Sequence, residues 1–375
     1  MLGTKLTRAA SRLLLPSARP IASTTLTATT TTAAARTISS SASNLRPDTK
    51  DKDLPKTAGS YARTDASVQV EYPEAHELPS SEPVKGAGRA GINVKPTLAT
   101  FSLQGKVGVV TGGARGLGLV MGQGMVVSGA DLAIVDLNLD EAREQANAIV
   151  EQFRRENPEA KRQVFFFPSL CCLILPKVTA HYADVSSEES VNACIEDIVA
   201  QHGKIDSLVT SAGFTENFEA TQYPIDRMRK LFGVNFDGTY LFATSVAKHL
   251  MARQAAGSMV FIGSMSGAIV NVPQPQAPYN SVKAAVRHLA ASLAVEWAHA
   301  GIRVNCISPG YMLTALTKKI LDDKPDLKKK WTSLIPQGRM GAPEDLMGPV
   351  TFLLSDASVY VTGADIRVDG GYTVI

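Results

Sequence analysis

From Lys106 onward the chain alternates short apolar runs with helix-length stretches, and this rhythm limits the fold more than any other feature of the sequence. Apolar, often β-branched runs fall at 106–110, 131–136, 178–183, 207–210, 259–262, 304–307 and 366–368. Helical patterns lie between them: to Ser128 after the first run, and to about Arg162 after the second. Strands that alternate with helices build βαβ units, and hence a parallel sheet covered on both faces. Right-handed crossovers then bring the carboxyl ends of the strands to one rim, where ligands bind. The expected fold is α/β, a doubly wound parallel (Rossmann-like) sheet forming a single domain over 99–375, preceded by a disordered N-terminal extension.

Composition agrees with one large soluble domain. Apolar residues make up 45% and charged residues 19%, enough for a sizeable core. The net charge of +3 is small and is concentrated in the first segment, so it describes no nucleic-acid footprint. The four cysteines, at 171, 172, 194 and 306, lack the paired spacing of a zinc site or a disulfide framework, and no metal is expected. No apolar run reaches the roughly 20 residues that span a bilayer.

The N-terminal part differs in kind. Residues 1–47 hold Lys5, Arg8, Arg12, Arg19, Arg36 and Arg46 but no acidic residue, with Ser, Thr and Ala supplying most of the rest. Leu6, Ala9, Ala10, Leu13 and Leu14 can share a helix face opposite Arg8 and Arg12. Such a segment resembles a mitochondrial transit peptide, which would place the mature protein in the mitochondrion rather than the cytoplasm. Residues 48–98 are polar, without sustained periodicity, and read as a linker or an arm on the domain surface, with Tyr61, Tyr72 and Pro73 as anchors.

One stretch does not suit the rhythm. Residues 163–176, QVFFFPSLCCLILP, are uncharged and fall where connections usually span about 2 to 6 residues. They read either as an apolar contact surface for a partner or membrane, or as residues foreign to the mature message, such as a retained intron. The second reading suits the fold better, because no element of a doubly wound sheet needs them. A spliced transcript that still encodes them would refute it.

The turn after the first run, Thr111-Gly-Gly-Ala-Arg-Gly-Leu-Gly118, opens a helix. Glycine there permits a tight turn and close approach of a pyrophosphate, and the helix N-terminus offers it free N–H groups. Asp136 ends the second run, where a carboxylate can accept hydrogen bonds from both hydroxyls of an adenine ribose and repel a 2′-phosphate. Arg115 argues the other way, since a guanidinium can pair with that phosphate. Asp136 faces the discriminating hydroxyl more directly, so NAD is expected over NADP; the same carboxylate could also cap the next helix.

Tyr279 and Lys283 stand four apart at the start of the long helical stretch 279–300, on one face. An ammonium beside a phenol favours the phenolate, and a phenol so tuned can exchange a proton with a substrate hydroxyl. Gly263-Ser264-Met265-Ser266 ends the strand upstream, where a hydroxyl can hold the substrate oxygen.

With these motifs in order, residues 101–375 resemble the short-chain dehydrogenase/reductase family. The loop with Gly112, Gly116 and Gly118 matches its TGxxxGxG pattern, so Arg115 and Leu117 within it are expected cofactor contacts. The resemblance implies that Asp184 touches the adenine ring, and that Asn235 completes a catalytic tetrad with Ser264, Tyr279 and Lys283 and holds a proton-relay water. It implies that Tyr279 and Lys283 also touch the cofactor, and that Ser308-Pro309-Gly310 and Thr314 meet the nicotinamide carboxamide. Two departures stand out. Ser211-Ala212-Gly213 replaces the usual Asn-Ala-Gly. Ser264 lies 15 residues before Tyr279, two more than is common, which makes Ser266 a rival; Ser264 is preferred because it directly follows the strand.

Within the family the segments VTGGARGLGLVMGQG, SGADLAIVDLN and SMSGAIVNVPQPQAPYNSVKAAVRHLA look like those of fungal polyol dehydrogenases. That implies a small-molecule polyol or ketose substrate, with oxidation of D-arabinitol to D-ribulose by NAD as the first expectation. NADPH-linked sorbose or mannitol-type reductases and a 3-oxoacyl-thioester reductase are the alternatives. A catalytically silent dinucleotide-binding scaffold is the reading from another class. The resemblance further implies a homotetramer, with the helix after Lys283 and the strand 366–368 as interfaces, and a loop over 311–340 that closes on substrate.

Overall fold

The computed structural model describes residues 97–159, 175–323 and 325–375. The expectations for 1–47 and 48–96, and for 163–174, therefore lie outside the described residues.

Seven strands form one sheet: β1 (Val107–Thr111), β2 (Asp131–Asp136), β3 (Val178–Tyr182), β4 (Ser207–Thr210), β5 (Gly257–Ile262), β6 (Ile302–Pro309) and β7 (Asp365–Val368). Their order across the sheet is β3-β2-β1-β4-β5-β6-β7. Every neighbouring pair is parallel. The helices between them are α1 (Gly116–Val127), α2 (Leu139–Glu156), α3 (Glu188–His202), α4 (Ile225–Phe232), α5 (Gly238–Ala252), α6 (Ala277–Trp297), α7 (Ala315–Asp322), α8 (Pro325–Ser333) and α9 (Met347–Leu354). The doubly wound parallel sheet expected from the sequence is the fold observed.

The strands read as unbroken apolar runs because both faces of a parallel sheet are covered. Side chains alternate between two cores with the period of a strand. Val109, Ala133, Val135, Leu208, Met259 and Phe261 point into one core, with residues of α3, α5 and α6. Val110, Leu132, Ile134, Val209, Val260 and Ile262 point into the other, with residues of α1, α2 and α9. A slip of one residue in any central strand would exchange its contributions to the two cores, so the register is strongly specified. The order of strands reverses between β1 and β4, and the carboxyl ends of these two strands flank the crevice where a doubly wound sheet holds its ligand.

Two expectations need correction. Helix α2 stops at Glu156 rather than near Arg162. The backbone N–H and side-chain amide of Asn157 both donate to the Phe153 carbonyl, and Pro158 has no N–H with which to continue the ladder. The stretch 311–340 is largely helical, in α7 and α8, rather than a loop. It folds around its own small apolar cluster of Leu321, Trp331, Ile335 and Met340. Tyr311 stacks on Trp331 with ring centroids 4.2 Å apart. A bridge between Met312 and Gly341 closes the base of the excursion.

Candidate active site

The crevice is walled on one side by the glycine turn. Gly112 and Gly116 have φ of 63° and 59°, in the left-handed region that glycine tolerates. A Cβ on Gly118 would lie 2.2 Å from the Gly112 carbonyl oxygen, so the turn can close on α1 only without a side chain there. A Cβ on Gly116 would meet nothing within 4 Å, because that glycine faces open space. Arg115 is the N-cap residue of α1 and makes no side-chain capping bond, which leaves the first-turn N–H groups of a 12-residue helix to a ligand. Leu117 packs partly buried against the second core, so it holds the turn in place from behind.

Asp136 ends β2 beside this turn. Its Oδ2 accepts from the Ala114 N–H at 3.1 Å and its Oδ1 from the Asn138 N–H at 3.0 Å. It does not cap α2: Asn138 does, accepting from the Glu141 N–H at 3.2 Å. The capping role considered for Asp136 is thus taken by its neighbour two residues on, and the carboxylate stays at the rim, bonded to the glycine turn. Asp184, just beyond β3, accepts from both the N–H and the hydroxyl of Ser186. The bare first turn, the glycine-only approach and the rim carboxylate fit a dinucleotide. Among the described residues no group of His, Cys, Asp and Glu is arranged to hold a metal ion.

The opposite wall carries the reacting groups. Pro278 lies in the first turn of α6, where its missing N–H is harmless, and Tyr279 and Lys283 follow one turn apart. Ser264 sits just past β5, with its hydroxyl near enough to the Tyr279 phenol to draw that phenol's pKa down. The Ser264 Oγ also accepts from the Ser266 N–H at 3.1 Å. Ser264, rather than Ser266, is therefore the hydroxyl beside the phenol, as its place at the strand end suggested. The Ser266 hydroxyl is engaged elsewhere, 3.2 Å from the Gln276 side-chain nitrogen.

The buried Lys283 donates from Nζ to the Ile262 carbonyl at 2.9 Å, and its ammonium lies 5.7 Å from the centre of the Tyr279 ring. Burial holds its pKa down at about 8. The spacing had suggested that this ammonium lowers the phenol. Instead the phenol lies above its ordinary value, raised by burial and drawn partly back by the neighbouring Ser264 hydroxyl. Desolvation is the largest cause for both groups.

Asn235 lies in a single π-helical turn, Gly233–Asp237, between α4 and α5. Such wide turns recur at functional sites because they re-aim a side chain. The Asn235 amide nitrogen donates to the Leu231 and Phe214 carbonyls, each at 3.0 Å, so the side chain is fixed. Its Oδ1 is buried without a partner. A Cβ on Gly213 would meet that oxygen at 2.5 Å and the Lys283 Nζ at 3.6 Å. Gly213 thus separates the two groups and leaves them facing one small space, which a single bridging water would satisfy. In the Ser211-Ala212-Gly213 segment the strand support comes from the Thr111 hydroxyl, which accepts from the Ala212 N–H at 3.2 Å.

The remaining expected residues lie on the far side of the rim. Pro309 ends β6, and the Gly310 N–H donates to the Val368 carbonyl at 2.9 Å. A Cβ on Gly310 would meet the Asp369 Cα at 2.7 Å. Thr314 caps α7, its hydroxyl accepting from the Thr317 N–H at 3.2 Å. Sequence reasoning missed a brace behind the chemistry. Arg287, one turn beyond Lys283, donates from Nε to Asp365 Oδ2 at 2.7 Å and from Nη1 to the Gly267 carbonyl at 2.7 Å. The Ser308 hydroxyl completes it, donating to Asp365 Oδ1 at 2.6 Å. The four-residue spacing from Lys283 was the available signal, but its partner sits 78 residues away on β7.

Sheet and site together define an oxidoreductase that uses a nicotinamide dinucleotide. A family model described as enoyl-(acyl carrier protein) reductase matches residues 175–373. The ribulose-forming D-arabinitol 2-dehydrogenase of Candida tropicalis is 39% identical over 282 residues, covering 75% of this chain and 95% of that protein. The sorbose reductase of Candida albicans is 38% identical over 278 residues, 74% of this chain and 90% of that protein. Among solved structures, a gluconate 5-dehydrogenase from Burkholderia cenocepacia in complex with NADP and tartrate superposes with a TM-score of 0.65 at 31% identity, covering 75% of this chain and all of that one (100%). The chain belongs to the short-chain dehydrogenase/reductase family. Its substrates are accordingly small molecules, and no helix among the described residues is long and apolar enough to cross a membrane.

Proposed function

We propose that the protein is an NAD-linked polyol dehydrogenase that interconverts a secondary alcohol and its ketone, with D-arabinitol and D-ribulose as the pair. The observation that carries the chemistry is the meeting of the Ser264 hydroxyl, the Tyr279 phenol and the Lys283 ammonium on the wall opposite an uncapped, glycine-lined helix N-terminus. The substrate is inferred from the D-arabinitol dehydrogenase similarity, which spans nearly the whole of that relative.

Bound between the walls, nicotinamide supplies the acceptor for hydride in oxidation and the donor in reduction. Ser264 and Tyr279 hold the substrate oxygen between their hydroxyls. As hydride leaves the carbon, Tyr279 takes the hydroxyl proton while giving up its own; in reduction it gives its proton to the new hydroxyl and is resupplied. Lys283 and the Asn235 carbonyl oxygen face each other across Gly213 and carry that proton onward through water. Gly112, Gly116 and Gly118 shape the phosphate cradle, and Gly310 brings the backbone after β6 up to the same rim.

The preference for NAD over NADP is supported by Asp136, a carboxylate bonded to the glycine turn that would repel a 2′-phosphate brought to that rim. Arg115, exposed in the same turn, is the observation that favours an NADPH-linked ketose reductase as a second reading. Asp136→Ala is expected to weaken NADH binding by about tenfold or more, in line with losing hydrogen bonds to a charged acceptor, and to narrow the gap to NADPH. Asp136→Asn, which keeps the shape and the contact to Ala114, separates charge from packing. Fluorescence titrations with both dinucleotides read the ratio; an unchanged ratio refutes the assignment.

A substrate panel followed at the NADH absorbance tests the function as a whole. D-arabinitol, other pentitols and hexitols, ketoses and an acetoacetyl thioester would be compared. Turnover of the thioester alone overturns the polyol reading, and dinucleotide binding without turnover on any of them points to a scaffold.

A further inference from the structure

The tetrad accounts for hydride and proton transfer but not for how a polyhydroxylated substrate is told from a plain ketone. A second polar network, outside the tetrad, adjoins it directly. It starts at Ser266, two residues beyond Ser264, and runs through Gln276 and Asn271 toward Tyr311. All three side chains are buried: Ser266, Gln276 and Asn271 are 5%, 7% and 3% exposed. The Gln276 Nε2 lies 3.2 Å from the Ser266 Oγ, 3.0 Å from the Asn271 Oδ1 and 3.0 Å from the Asn280 Oδ1. The Tyr311 hydroxyl closes the network, taking a bond from the Gln274 amide at 3.1 Å. Asn271 approaches it at 3.5 Å.

Three oxygens around one nitrogen fix which way the Gln276 amide points. Its Oε1 accepts no hydrogen bond among the described residues, yet it is not one of the buried atoms left without a partner. It therefore opens to solvent, although the residue around it is almost wholly enclosed. Gln276 is the N-cap residue of α6, makes no side-chain cap bond, and stands three residues ahead of Tyr279 at the same end of that helix as the phenol. A buried amide held by three partners, with one acceptor left open, is built to receive an O–H donor.

We propose that Gln276 is a specificity-determining residue: its Oε1 accepts a hydrogen bond from a substrate hydroxyl on a carbon next to the reacting one, and Ser266, Asn271 and Asn280 hold it in that orientation. This rests on the polyol reading above. It also gives the excursion 311–340 a part, since Tyr311 abuts the network from that side. Sites that hydrogen-bond a substrate hydroxyl reject analogues lacking it far more strongly than apolar pockets reject an extra group.

The test compares D-ribulose with 2-pentanone, the same five-carbon 2-ketone without its hydroxyls, by kcat/KM at saturating NADH. Wild type is expected to favour D-ribulose strongly. Gln276→Met removes the acceptor at constant size and is expected to cut that preference by about tenfold to a hundredfold, chiefly through the KM for D-ribulose. Gln276→Glu restores an acceptor oxygen, with Asn280 turning its amide to donate, and is expected to retain most of the preference. NADH affinity checks that each variant is folded. Gln276→Ser, which lets water reach Asn271 and Asn280, replaces Gln276→Met if the latter does not fold. Equal losses on both ketones, or a preference untouched by loss of the acceptor, overturn the role of Gln276 alone. A wild type with no preference for D-ribulose overturns the polyol reading, and this proposal with it.

Discussion

Tyr279→Phe is expected to leave NADH binding near that of the wild type while lowering turnover of D-arabinitol by about a hundredfold to ten-thousandfold. The change removes one oxygen. The ring keeps its place in the first turn of α6 and against Lys283, and the glycine turn on the opposite wall is untouched. What is lost is the phenol beside Ser264, and with it the group proposed to exchange a proton with the substrate. A positioned general acid or base contributes a factor of about 10²–10⁴. Substrate affinity should change little, since Ser264 still holds the oxygen. Single-turnover rates and an NADH titration on the same preparation read the two effects separately. Activity within a few-fold of the wild type would show that proton transfer does not run through this phenol.

Lys283→Met is expected to lose turnover on the order of a hundredfold or more, and at the same time to make the ligand-free protein more stable below pH 8. The second effect follows from the burial that holds this lysine down at about 8. Between about 8 and the ordinary lysine value near 10.4, the unfolded chain binds a proton that the folded one does not, so stability rises with pH across that window. Below about 8 both states carry the proton, and the full penalty of burying the ammonium, about 3 kcal/mol, is present and constant. Methionine carries no charge to bury, although the Ile262 carbonyl loses a donor worth about 1 kcal/mol. The variant should therefore unfold at higher urea than the wild type at pH 7, and the difference should shrink as pH climbs toward 10. Tyr279, whose phenol is raised, titrates with the opposite sign above its ordinary value near 10, so the comparison is made below that pH. A gap between the two proteins that does not vary with pH would mean that Lys283 is not the group being titrated. Stability gained where function is lost is the usual mark of a residue kept for its chemistry.

The sheet was legible in the sequence because a strand buried on both faces must be apolar throughout. The runs at 131–136 and 207–210 coincide with β2 and β4 to the residue. The glycine turn and the Tyr279–Lys283 pair were legible for a related reason. Each is a local pattern whose geometry follows from backbone angles or helical periodicity. What the sequence left open depends on contacts between distant segments. Asn235 is reached only through the family resemblance: a π-helical turn sets its position, and nothing in Gly-Val-Asn-Phe-Asp announces that extra residue in the helix. Helices α7 and α8 are not legible in the sequence because their apolar positions make sense only around Trp331 and its stacking partner Tyr311. The phenol's upward shift was misjudged because spacing reveals which charges are neighbours but not how much water each has lost.

The brace of Arg287, Asp365 and Ser308 has a consequence for how the two halves of the sheet depend on each other. The crevice for the dinucleotide is framed by β1, β2 and β4, all near the middle or one side of the sheet. The loop bearing Ser264 is tied through the Gly267 carbonyl to β7, the outermost strand of the other side. Damage to that outer strand should thus be felt first as a poorly aligned hydroxyl pair, while the dinucleotide is still gripped. A strand that contributes no reacting group would in this way decide whether the bound cofactor is put to use.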